Sequence, residues 1–400
     1  MNEIEENTIA RNKYNGSIEE ARISQEEDLP KLNEIIHKNL VNRKNGTDYH
    51  LLYEISRAMI SNLKLPDRNI NKIATPSAIA QTKSIALQFF KDLDSELYEK
   101  AKNIVDGSSE FDFNMYMLDG VNDFSSCKAS GMPAHTKIPC VMTKNGKSAI
   151  YVPCKGTVED IYLLVHEISH TFDFGEKDNS TRNLLGEVTS YCFEAMLSRF
   201  LTENGILNRE DVTNREKGDI INCYDDVVET FAKLELMRIK EQKGNIRQTD
   251  ISEIRKAYSL SDKSLQYILN RLEDSKTNVD YKARYMVALL VYPYYMEQYE
   301  KDSKQAGKSM KAYFDKVKAG NFIQSLESLG IEPTFEQIQH LIDVSNKRIA
   351  SFFQKRLFSV EEIGKATINV PTNSKDEAKF HIAHTEKLLI QDDKNDNLLK

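Results

Sequence analysis

No stretch of this sequence is suited to a membrane interior. Its longest apolar run, Met286 to Val291, falls far short of the ~18–20 residues that span a bilayer. It also lacks a secretory signal at its start, where Met1-Asn2-Glu3-Ile4-Glu5-Glu6 is acidic and has no apolar core. Cysteine is sparse and unpatterned: Cys127, Cys140, Cys154, Cys192 and Cys223 are odd in number and form no CxxC pair. That argues against a disulfide framework and for a reducing compartment. There is no long basic stripe and no internal repeat, and a net charge of −7 argues against a nucleic-acid binder. The expectation is a soluble, cytoplasmic protein with no membrane or nucleic-acid partner, although export without such a signal stays open. Four hundred residues at 40% hydrophobic suffice for one large or two modest domains.

Histidine is scarce, 8 in 400, yet two fall in the pattern His166-Glu167-Ile168-Ser169-His170. The segment before it reads as a helix. Thr157 suits an N-cap with Asp160 three residues on, and Glu159 and Asp160 favour the first-turn dipole. Ile161, Leu164, Val165 and Ile168 then follow the helical period. On such a helix His166 and His170 share a face and can reach one zinc ion. Glu167 stands beside them, placed to take a proton from a water activated by the metal. The bland alternative is two solvated histidines, but Leu163, Leu164 and Val165 make the segment largely buried. Two buried histidines and a buried glutamate would be costly without a partner.

Such a site needs a third protein ligand and an open fourth position. Residues 183–196 read as a second helix, with Leu184, Val188, Cys192, Ala195, Met196 and Arg199 at helical spacing and Asn204-Gly205 as the stop. Glu187, Tyr191 and Glu194 form a stripe beside that apolar face. Glu187 is the best third ligand, and Glu194 could hold a ligand histidine by its second nitrogen. Alone, both would read as solvated helix glutamates.

Four stretches resemble the thimet oligopeptidase and oligoendopeptidase F group of zinc metallopeptidases. Residues 156–161, Gly-Thr-Val-Glu-Asp-Ile, run into the HExxH helix as the family's approach does. Glu187-Val-Thr-Ser-Tyr-Cys-Phe-Glu194 looks like its third-ligand helix. Tyr281-Lys-Ala-Arg-Tyr285-Met-Val-Ala288 is similar to its tyrosine-bearing helix, and Tyr313-Phe314 through Leu329-Gly330-Ile331 to its C-terminal segment. The resemblance covers roughly residues 130–345. It implies His166, His170 and Glu187 as ligands of one zinc per chain, and Glu167 as general base. Tyr285 and, second to it, Tyr281 would be donors to the oxyanion. The plain alternative for both tyrosines is core packing.

The sequence also departs from that pattern. Ser169 replaces the usual glycine before the second zinc histidine, and no histidine occurs between His170 and His340, where the family has a substrate-binding one. The loop between the ligand helices and the chain before the motif are both short. A metal-binding or interaction protein that keeps the peptidase fold without turnover is therefore the alternative to a peptidase acting on a peptide or protein substrate.

Elsewhere the pattern is mostly helical. Thr136 to Met142 and Ser148 to Val152 read as a hairpin about Lys144-Asn145-Gly146-Lys147. Family analogy makes Gly131 to Val141 the stretch that pairs with an extended substrate, the alternative being a structural hairpin. Long helical patterns cover Asp219 to Lys240, Ile251 to Leu272 and Tyr281 onward, where Pro293 should kink or break the helix. The expected fold is mainly α, a helical zincin-like metallopeptidase with a small antiparallel β-element at the cleft. Residues 1–28 are expected to be a mobile polar N-terminus, 29–130 a helical region with a loop-rich end from Gly107 to Ser130, 131–355 the catalytic region, and 366–400 a disordered tail. His381 and His384 in that tail read as solvent-exposed.

Overall fold

A computed structural model of the protein describes residues 29–41, 49–63, 73–128, 131–174, 180–257, 279–332 and 334–354. The expectations for residues 1–28 and 366–400, for His381 and His384, and for the end of the Ile251–Leu272 helix lie outside them. The chain divides into a unit from Met1 to Ser345 and a second from Asn346 to Lys400.

The described residues are mainly helical, with one small mixed sheet. Four helices come first: α1 (Leu29–Val41), α2 (Tyr49–Asn62), α3 (Ile79–Leu93) and α4 (Ser95–Val105). Local chemistry explains α4 directly. The Asp94 carboxylate accepts the backbone N–H groups of Glu96 and Leu97 at 2.9 and 3.1 Å, while Leu97, Ala101 and Ile104 bury one stripe.

The sheet has strand order β1-β3-β2, with β1 at Phe111–Met117, β2 at Cys140–Lys144 and β3 at Lys147–Cys154. β2 and β3 form the expected hairpin. Asn145 and Gly146 both have positive φ, 53° and 74°, as a two-residue turn matched to strand twist demands. β1 corrects the sequence reading on two counts: part of the supposed loop-rich stretch is a strand, and it pairs with β3 in parallel, so the sheet is mixed rather than antiparallel. Central β3 is buried continuously from Ala149 to Cys154, as a strand covered on both faces must be. Ala149 and Tyr151 pack with Met132, Tyr116, Cys140 and Met142, and the Tyr151 hydroxyl donates to the Pro133 carbonyl at 2.6 Å.

Gly156, at φ 78°, turns the chain from β3 into α5 (Glu159–Ser169), which packs on the sheet. Here Thr157 does not cap. The Asp160 carboxylate reaches back instead to accept the N–H groups of Lys155, Gly156 and Thr157 at 2.7–3.1 Å, fixing the angle between strand and helix.

Three long helices complete the frame around α5: α6 (Ser180–Glu203), α7 (Arg209–Lys243) and, after α8 (Gln248–Ala257), α9 (Val279–Lys301). α6 ends where Gly205 takes positive φ, and α7 starts on Asn208, whose side chain accepts the Asp211 N–H at 2.9 Å. α9 packs against α6 and α7 and runs on through Pro293 without a break. Leu289 to Tyr292, Tyr295 and Met296 are all buried, and that packing outweighs the bond the proline forfeits. The chain closes with α10 (Ser303–Lys318), α11 (Phe322–Ser328) and α12 (Phe335–Gln354). No described helix is long and apolar enough to cross a membrane.

Candidate metal centre

α5 carries the HExxH motif on its last turn. His170 sits one residue beyond the helix but keeps helical dihedrals, φ −58° and ψ −21°, so the two imidazoles stay on one face with ring centroids 4.7 Å apart. α6 crosses that face and brings in Glu187. One ligand atom each from His166, His170 and Glu187 lies within 4.8 Å of the others. The Glu187 Oε2 is 3.3 Å from His166 Nε2 and 3.9 Å from His170 Nε2. Ligand atoms at about 2.0–2.1 Å from a tetrahedral zinc stand about 3.3–3.4 Å apart, so the spacing suits such an ion.

The other nitrogens are spoken for. His166 Nδ1 meets Glu194 Oε1 at 2.6 Å, and His170 Nδ1 lies 3.1 Å from the Ser190 hydroxyl. With Nδ1 of His166 facing Glu194, Nε2 is the nitrogen that faces Glu187 and that an ion would take. Glu187 is 2% exposed, and its Oε2 has no hydrogen-bond partner. A buried carboxylate oxygen facing imidazole nitrogens is costly unless a cation or protons lie between them. His2Glu is moreover a known zinc donor set. By geometry and chemistry alike, the residues present fit the ion.

Electrostatics show the same convergence. Burial acts to lower the His166 pKa, yet Glu187 and Glu194 outweigh it and push it well above the usual range. Burial would raise Glu187, but His170, Arg284 and His166 hold its carboxyl far below the ordinary value. Glu167 behaves oppositely. It is 3% exposed, its Oε2 has no hydrogen-bond partner, and burial, reinforced by Glu187 and Glu194, pushes it up to about 8 against the pull of His166 and Arg284. Two buried glutamates on successive helices thus have pKa values driven in opposite directions by their surroundings.

Around this cluster stand groups that sequence reasoning did not single out. Arg284 on α9 lies 3.2 Å from Glu187 Oε1 and donates to the Tyr285 hydroxyl at 3.0 Å, so Tyr285 reaches the cluster through one guanidinium. The Tyr285 ring lies 6.5 Å from that of Tyr191, itself 6.2 Å from His166. Tyr281 begins the same helix, but its side chain lies outside the described residues. Arg215 on α7 grips the far oxygen of Glu194 at 2.6 Å. Behind the motif, Thr189 donates to Asp173 at 2.8 Å, tying the exit of α5 to α6. Of the stretch expected to pair with substrate, residues 132–139 are not strand. Strand structure begins at Cys140, and β2 forms one edge of the sheet.

No protein-family model matches the sequence, and a search of curated proteins finds no match either. Solved structures do resemble the chain. One from Chlamydophila abortus, assigned as a peptidase, aligns at 13% identity with a TM-score of 0.46, covering 81% of this chain and 55% of that one. Another from Bacillus anthracis, assigned as an oligoendopeptidase F, aligns at 12% identity and 0.48, covering 80% and 59%. PZ peptidase A with an inhibitor aligns at 13% and 0.48, covering 82% and 59%. The chain therefore spans less than two thirds of the length of these structures. Likeness this low cannot carry chemistry from one chain to another; the site's own geometry has to.

Proposed function

We propose that the protein is a zinc-dependent peptidase that hydrolyses peptide bonds with Glu167 as general base. The observation that carries the reading is the buried Glu187 Oε2, without a hydrogen-bond partner and 3.3 Å from His166 Nε2, with a second buried carboxylate, Glu167, next to it in the motif. His166, His170 and Glu187 would hold the ion, one per chain, and it would supply a Lewis acid that lowers the pKa of water. Glu167, buried beside the ligands, accepts the proton of the attacking water and returns it to the leaving amine. Tyr285 donates to the oxyanion that develops at the scissile carbonyl, and Tyr281 is the second candidate. The partner is a peptide or protein substrate rather than nucleic acid or membrane. The catalytic region is residues 131–355, which follow the helical region 29–130 in sequence. The compartment proposed is a reducing one such as the cytoplasm, since the five cysteines are odd in number and lack CxxC spacing.

The test is elemental analysis together with cleavage of a peptide library read by mass spectrometry. Wild type should carry one zinc and cut, and Glu167→Gln should keep the zinc while losing about 10²–10⁴ in rate. Glu167→Gln at wild-type turnover removes Glu167 as base. Zinc without any cleavage in wild type leaves the metal-binding alternative.

A further inference from the structure

Arg215 enters the site from α7, an element with no part in the HExxH pattern. Its side chain is 11% exposed, and its guanidinium lies over the Tyr162 ring, 4.1 Å from the centroid. Each edge of the fork meets a different carboxylate. Nη2 donates to Glu194 Oε2 at 2.6 Å, Nη1 donates to both oxygens of Asp219 at 2.9 Å, and Nε lies 3.4 Å from Glu159 Oε2. Three acids therefore surround one cation, and one of the three is the carboxylate whose other oxygen holds His166 Nδ1. The guanidinium is planar and its donors are fixed in direction, so Arg215 on one oxygen and His166 on the other together fix the plane of Glu194. That plane in turn sets the orientation and tautomer of the His166 ring. Without Arg215, Glu194 would be left near Asp219 and Glu159 with no cation between, and repulsion would turn it away from His166.

We infer that Arg215 is a positioning residue for the metal site, acting through Glu194 to aim the His166 Nε2 lone pair at the ion. The inference rests on the zinc reading above and adds a requirement that the ligand set alone does not contain. Asp219, one turn further along α7, anchors the arginine from the opposite side of the fork.

Zinc affinity of the full chain, read by competition with a chromophoric chelator, tests it without reference to turnover. Arg215→Met keeps an unbranched apolar stem for the Tyr162 contact and should lose about 10–100-fold in affinity. Arg215→Lys keeps the charge but not the fork and should lose less; it carries the test if the methionine variant does not fold. Glu194→Ala should lose a similar amount, and adding Arg215→Met to it should cost little more, because the path from Arg215 to the metal has already been cut. Unchanged affinity in either Arg215 variant overturns the inference, as does an Arg215→Met penalty of the same size with and without Glu194. A wild-type chain that takes up no zinc removes the metal reading and this inference with it. Wild-type zinc binding with unaffected variants removes this inference alone.

Discussion

Phe193 and Glu194 are neighbours on α6 and belong to opposite worlds. Phe193 is 1% exposed and stacks among Phe89, Phe90, Phe172 and Phe314, with ring centroids 5.5–6.4 Å apart. Glu194 lies against His166 and Arg215, on the stripe that also bears Glu187 and Tyr191. One face buries aromatic surface and is favourable on its own. The other buries carboxylates, imidazoles and guanidinium groups, whose desolvation is repaid only by mutual pairing and, in the proposed function, by a metal. Stability and chemistry are thus separated by one residue step on a single helix, and each face should fail in its own way.

The largest stability effect expected from this comparison is on the apolar face. Phe193→Ala should lower unfolding free energy by about 3–5 kcal/mol in the metal-free chain, measured by denaturant titration. Folded at low temperature, it should still bind one zinc. Loss of zinc from well-folded Phe193→Ala would mean that the aromatic face sets the site's geometry, and the separation of the two faces would be wrong.

On the polar side, Tyr285→Phe removes one hydroxyl that Arg284 now donates to. A lost oxyanion donor costs about 10²–10³ in rate, so kcat should drop by that factor with zinc content and KM little changed, since the interaction strengthens as charge develops. Unfolding free energy should move far less than for Phe193→Ala. A silent Tyr285→Phe would assign that ring to packing with Tyr191.

The two faces also differ in how far they could be read from sequence. His166, Glu167, His170, Glu187 and Glu194 are legible because helical periodicity converts spacing directly into position. Two helices with charged stripes leave few ways to meet. Arg215 and Arg284 were not legible: each is joined to the site only by tertiary packing of α7 and α9, and a lone arginine in a charged helix resembles any solvated one. Tyr281 and Tyr285 share a helix, but spacing alone could not rank them. Strand β1 was missed for a related reason. Its Phe-Asp-Phe-Asn-Met-Tyr-Met run does alternate apolar with more polar residues, but its partner in parallel pairing lies beyond a long crossover, with no hairpin turn joining the two strands to announce the pairing. The hairpin of β2 and β3, by contrast, is announced by Asn145-Gly146. Pro293 does not break its helix, and the burial on both sides of it could not be weighed from the residue alone.

The smallest effect belongs to that hairpin, and it asks whether the sheet sides with the apolar face or with the site. Gly146 has φ 74° and no atom within 4 Å of where a Cβ would sit, so Gly146→Ala introduces no clash and its cost is purely conformational. A left-handed alanine costs about 1–2 kcal/mol, which should appear as a modest fall in unfolding free energy with zinc affinity unchanged. The effect on catalysis decides the matter. If an extended substrate adds to β2, loosening the turn disturbs the edge it pairs with, and KM should rise several-fold at nearly constant kcat. If KM and kcat both match wild type while stability falls, β2 is a structural strand, and substrate is held by the helices alone.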